Sequence, residues 1–188
     1  INRLPPMTLV DVMTETVDIL TAGGEGHAPG LIDELVESYE VETHGILQKE
    51  SENVHKLIKA ARDYAGSGEA AVKPYVDKLD AVARNWDRIA QPIQLSSKAR
   101  GVDHEPSREM AWAIRSLAIE LFNSHDMLIQ SQRLTSLLQD IFSEVQDVTE
   151  RVGEDAEALA GIQMRRSESA AIEPVRSLVE GVLKKIES

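Results

Sequence analysis

Apolar residues recur three and four positions apart along most of this chain, and no stretch alternates residue by residue as a half-buried strand does. A helix completes a turn in about 3.6 residues, so this spacing lays an apolar stripe along one helical face that other helices must cover. The architecture it implies is an all-α bundle of about four to five long helices, antiparallel where the connections are short. Aromatic residues make up only 4% of the chain, which fits helix packing better than sheet packing.

The clearest seam is Val72, Tyr75, Leu79, Val82, Trp86, Ile89 and Ile93. Steps that average about 3.5 residues keep one seam facing neighbouring helices, a heptad-like pattern of knobs into holes. Pro74 falls in the first turn, whereas Pro92 is expected to kink or end the helix, leaving Ser96 to Pro106 as a connection. An earlier helix is expected from Thr8, with Asp11 placed as in a capping arrangement and Val10, Met13, Val17 and Leu20 as its apolar line. The glycine-rich stretch from Gly23 to Gly30 ends it as a loop. A second helix from Leu31 to Ala65 carries Leu35, Tyr39, Ile46, Val54, Leu57, Ala61 and Tyr64. Its middle, Glu40 to Asn53, is poor in apolar residues and is expected to bend or project from the bundle.

From Pro106 to Val152 the pattern favours one continuous helix, bent at Asn123-Ser124-His125-Asp126, where four poor helix formers coincide. The second half of Gly153–Ser169 reads as a linker. The last helix, Ala171 to Ile186, shows a seam at Ile172, Val175, Val179, Val182 and Ile186, with Lys184 and Lys185 at the negative end of its dipole.

A chain of 188 residues is expected to form a single helical-bundle domain over 1–188. Its start at Ile1 suggests a part of a longer protein. The net charge of −12 argues against nucleic acid as a partner, and no apolar run approaches the length of a membrane span. Without cysteine there are no disulfides and no thiol chemistry. The expectation is an acidic, soluble, cytoplasmic protein.

Two constellations invite a catalytic reading. Glu52-Asn53-Val54-His55 has the Glu-x-x-His spacing of ferritin-like di-metal bundles, but a second such pair is missing, so an exposed polar face is the better account. Ser124-His125-Asp126 has the letters of a hydrolytic triad, yet adjacent helical residues point apart and cannot form a relay. No catalytic residue, metal ligand or cofactor is assigned.

The richest cluster surrounds the connection after Pro92: Trp86, Arg88, Lys98, Arg100, His104, Arg108 and Trp112. Aromatics beside arginine are the composition of a binding hot spot, although a seam position makes Trp86 an ordinary core residue too. A narrower version is an anion site at the helix start Pro106-Ser107-Arg108, where backbone N–H groups are expected to be free beside Arg100 and Arg108.

The stretches Trp86-Asp87-Arg88-Ile89-Ala90-Gln91-Pro92-Ile93-Gln94-Leu95 and Ile114-Arg115-Ser116-Leu117-Ala118-Ile119-Glu120-Leu121-Phe122-Asn123 resemble helical regions of uncharacterised bacterial multidomain proteins, some of which carry a J-like domain. The resemblance covers about residues 75 to 160. The His-Pro-Asp tripeptide a J domain needs is absent, so what the resemblance implies is a bacterial accessory helical domain with no activity attached.

The function expected is that of a non-catalytic helical interaction or scaffold domain, meeting a protein partner or another copy of itself. The alternative is a ligand-sensing bundle that binds a small anion or organic molecule, and a metal-dependent enzyme of ferritin-like type stands third.

Overall fold

A computed structural model describes residues 6–26, 30–143 and 145–186, with backbone only at 6–8, 31, 175 and 177–186. The described residues form six helices and no strand: α1 (Pro6–Thr21), α2 (Leu31–Ala65), α3 (Glu69–Ala99), α4 (Glu105–His125), α5 (Leu128–Ile141) and α6 (Gln146–Ile186). None of them is long and apolar enough to cross a membrane. The all-α expectation holds, and the helix count is higher because the stretch expected to be one helix is broken twice.

The first break lies at the polar run singled out above. Asp126 takes a left-handed backbone, φ 56°, and the Met127 N–H reaches back to the Leu121 carbonyl at 3.0 Å. Met127 and Leu128 are then buried, so the break lets α5 turn back and cover α4. Weak propensity at 123–126 made that reversal inexpensive, and burial of Met127 and Leu128 decided it. A second break at 142–145 redirects the chain into α6. There the expected linker is absent: α6 is helical throughout its 41 residues.

α3 lies at the centre, packed against α1, α2 and α5. Its buried line runs through Val72, Val76, Leu79, Ala83, Trp86, Ala90, Ile93 and Ser97, with Pro92, Gln94, Leu95 and Ser96 buried around the last of these. Val72, Leu79, Trp86 and Ile93 are seam positions as expected, but the intervening members are Val76, Ala83 and Ala90 rather than Tyr75 and Val82, with Ile89 buried as well. A helix covered on several sides must present small residues where its neighbours approach most closely, so size outweighs hydrophobicity in setting the phase. Tyr75 instead stacks on Tyr64 near the α2–α3 turn, ring centroids 5.1 Å apart. In α2, Tyr39, Val54 and Ala61 are buried as expected, while Val36, Ile58 and Ala65 are buried in place of their neighbours Leu35, Leu57 and Tyr64, and Ile46 is exposed. In α1, Leu20 is exposed and Thr21 is buried in its stead, its hydroxyl donating to the Val17 carbonyl at 2.7 Å. α1 also begins at Pro6, ahead of the expected start at Thr8.

Pro92 does not end α3. Its ring is buried within a continuous run from Ala90 to Ser97, apart from the half-buried Gln91, so Ser96 and Ser97 belong to the core and not to a connection. Proline cannot donate to the Arg88 carbonyl, a loss worth about 3 kcal/mol in an ordinary helix interior. Burial of this apolar end against α1 and α2 offsets that loss, and the Tyr39 hydroxyl donates to the neighbouring Ile89 carbonyl at 2.8 Å. Burial pushes the Tyr39 phenol up to about 12. The middle of α2 neither breaks nor projects; it stays helical alongside α3 and leaves a groove on its polar flank.

Candidate functional site

α3 ends in a hydrogen-bonded turn that its sequence specifies. Gly101 adopts φ 69°, its N–H donates to the Lys98 carbonyl at 2.9 Å, and the Val102 N–H donates to the Ser97 carbonyl at 3.0 Å. This is the paired closure of a Schellman motif, and glycine supplies the left-handed residue without a Cβ penalty. After three more residues His104 occupies the N-cap position of α4, followed by Glu105 and Pro106 in the first turn.

His104 is the hinge of the site. Its ring stacks on the buried Trp86, centroids 6.1 Å apart, and Trp86 in turn lies 6.2 Å from Phe142. Its Nδ1 is 2.6 Å from the Ser107 hydroxyl, and the Gln94 amide donates to that same oxygen at 2.8 Å. The Ser107 oxygen accepts from Gln94 and keeps both a proton and a second lone pair, so it can partner Nδ1 of a neutral His104 in either tautomer. Burial holds the imidazole down at about 4, well below an ordinary histidine. Gln94 also donates to Asp87 at 3.3 Å, which extends the chain of bonds back across α3. Ser107 is 0% exposed, so despite its histidine neighbour it offers no hydroxyl to a substrate.

Two depressions flank this network. One, of about 610 Å³, runs between the middle of α2 and the α3–α4 turn over Leu47, Trp86, Ile93 and Pro106, rimmed by His44 and His55. The other, of about 440 Å³, lies between the α3–α4 connection and the α5–α6 turn, with Gln94, Ser107 and Glu150 in its wall. His104 contributes to both.

The sequence cluster is only partly brought together. Trp86 and His104 stack and Lys98 shares a cavity wall with His104, but each basic residue has a structural engagement of its own. Arg88 reaches Asp11 of α1 at 2.5 Å, and Lys98 reaches Glu25 at 2.7 Å and the Gly23 carbonyl at 3.4 Å. Arg108 meets Asp147, Glu105 and Asp103 at 3.4, 3.5 and 3.8 Å, and Arg100 donates to the Ser96 carbonyl at 3.3 Å. The Lys98 cation holds the Glu25 carboxyl below the usual carboxylate range. Trp112 lies apart at the edge of the core, with the Arg115 guanidinium 5.2 Å from its ring centre. The expected free N–H groups at the start of α4 are also absent: Pro106 has none, and those of Ser107 and Arg108 donate to the His104 carbonyl at 3.0 and 3.2 Å.

The other constellations stay apart. Glu52 pairs with Lys56 at 3.8 Å, His55 Nδ1 lies 2.8 Å from the Ser51 carbonyl, and the described residues contain no group of three or more His, Cys, Asp or Glu placed to hold a metal. Asp126, at the end of α4, pairs with Arg166 of α6 and not with His125. His27, in the glycine-rich loop, lies outside the described residues, as do the side chains of Val175, Val179, Val182, Ile186, Lys184 and Lys185. Sequence reasoning missed Gln94, whose one signal was a polar residue inside the apolar run Ile93-Gln94-Leu95. No family model, no curated protein and no solved structure matches the chain.

Proposed function

We propose that this chain is a non-catalytic helical interaction module that associates with a second copy of itself through the distal half of α6. The observation that carries this reading is exposure. α6 is tied to the body at Arg166, whose guanidinium lies over Phe122 and pairs with Asp126. Yet every residue from Gln163 to Pro174 is exposed, Met164 by 64% and Ile172 by 61%. A lone helix of this length is only marginally stable in water, so it needs a covering surface. The sequence supplies one side of such a surface in Ile172, Val175, Val179, Val182 and Ile186, a heptad-like line of β-branched residues.

The charge pattern favours antiparallel pairing of two such helices. In a register centred on Val179, Ile172 falls opposite Ile186, and Glu173 falls opposite Lys185. Parallel pairing would instead bring Lys184 and Lys185 against their own copies. Sedimentation velocity on the whole chain from about 1 to 200 µM tests the proposal by mass action. The expected result is a shift from one chain to two, abolished by Val179→Asp with Val182→Asp while the thermal transition of the body is retained. A single-chain mass at every concentration, or undiminished dimerisation of the double variant, overturns it.

A further inference from the structure

α1 is apolar on two sides. Its inner line, Val10, Met13 and Val17, is buried in the apolar cluster it shares with α2 and α3, yet Leu9, Val12, Ile19 and Leu20 are 46%, 46%, 68% and 50% exposed. These are not scattered side chains. Val12, Thr16 and Ile19 follow one another at single-turn steps, with Leu9 one turn before Val12 and Leu20 one turn after Thr16, so they form a continuous outer stripe. A contiguous exposed apolar stripe marks an interaction surface.

Charge selects what covers it. Residues 4–48 contain nine acidic residues and no lysine or arginine, and so carry nine of the twelve net negative charges of the chain. Arg88 and Lys98 of α3 answer Asp11 and Glu25. Glu15 and Asp18 of α1, and Glu34, Glu37, Glu40 and Glu42 of α2, make no ion pair among the described residues. Glu15 stands one turn from both Val12 and Ile19, so unmatched carboxylate borders the stripe itself. An anionic membrane would meet like charge here. A second copy packed stripe to stripe, with Leu9 opposite Ile19, would set Glu15 near its own counterpart.

We propose that the outer face of α1 docks a basic amphipathic helix of a partner protein. Its apolar side chains cover Leu9, Val12, Ile19 and Leu20, and its Lys or Arg side chains answer Glu15 and Asp18. The site is independent of association through α6, and neither result decides the other.

Fluorescence anisotropy with the whole chain tests it, using a labelled peptide of three heptads of leucine and lysine whose leucines form one helical stripe. Saturable binding is expected, weakened about tenfold or more by Val12→Asp with Ile19→Asp and by Glu15→Lys with Asp18→Lys. All four positions are exposed, and an unchanged thermal transition checks that each variant folds. Glu157→Lys with Glu168→Lys, an equal change of charge at exposed positions of α6, is expected to weaken binding less than about threefold, because exposed charges are screened beyond about 10 Å at 0.1 M salt. Absence of saturable binding overturns the proposal. Equal binding of a scrambled peptide, which keeps the charge but loses the stripe, or of one with glutamate in place of lysine, overturns it too. Equal losses in the α1 and α6 charge variants leave only net charge and overturn the site. Loss of self-association in Val12→Asp with Ile19→Asp assigns the face to a second copy, and co-sedimentation with phosphatidylserine vesicles assigns it to a membrane; either overturns a basic partner.

Discussion

Acidification should destabilise this fold through His104 in a way that can be measured residue by residue. The imidazole is folded into a neutral state against Trp86 and Ser107, and burial lowers it to about 4. Its flanking carboxylates, Asp103 and Glu105, are turned to Arg108 and give it no ion pair. In the unfolded chain the same group titrates near 6.5, so the unfolded state takes up the proton first as pH falls. Stability is therefore full above the unfolded value, declines as pH drops through the window from about 6.5 to 4, and levels off below it. Integrated over that window, the loss is ~2 kcal/mol between about pH 7.5 and pH 5, and ~3 kcal/mol by pH 4. Many carboxylates titrate nearby in pH, so the informative quantity is a difference between two proteins. His104→Asn keeps a good N-cap residue and an acceptor within reach of Ser107 but does not titrate. Urea denaturation of both at a series of pH values should give curves that converge on acidification by the amounts above. Curves that stay parallel down to pH 5, or a folded-state His104 midpoint near 6.5 in an NMR titration, refute the reasoning.

The inward phase of α3 predicts that Ala83→Leu, at a fully buried position, destabilises by about 1–3 kcal/mol through overpacking, whereas Val82→Leu on the half-buried flank changes stability by less than about 1 kcal/mol; thermal denaturation of both compares them. Glycine substitutions separate backbone strain from crowding. Gly101→Ala, with φ 69° and open space around the new methyl, should cost about 1–2 kcal/mol in urea melts. Gly66→Ala, at a right-handed φ of −63° and equally uncrowded, should be neutral or slightly stabilising.

Local chemistry alone settled a good deal. The three-and-four spacing pointed to helices, and Asn123-Ser124-His125-Asp126 marked where a helix could break. Each of these is a property of a few neighbouring residues, and backbone propensity acts at that range. Whether the break was used, and whether Pro92 ended α3, depended on what the flanking apolar residues could bury, which is a property of distant segments. The one-residue shift from Tyr75 and Val82 to Val76 and Ala83 had the same origin, since only close approach of several helices makes a small residue the better inward choice.

The basic cluster shows the limit most plainly. Composition placed Arg88, Lys98, Arg100 and Arg108 in one neighbourhood and suggested an anion, but the carboxylates that answer most of them come from α1, the α1–α2 loop and α6. No local reading contains those partners. Sequence by itself determined that this chain is helical and that a helix could break at Asn123-Ser124-His125-Asp126. Only the tertiary structure decided which faces turn inward, which charges are already matched, and that one buried glutamine oxygen has no donor among the described residues, because each of these depends on groups far apart in the chain.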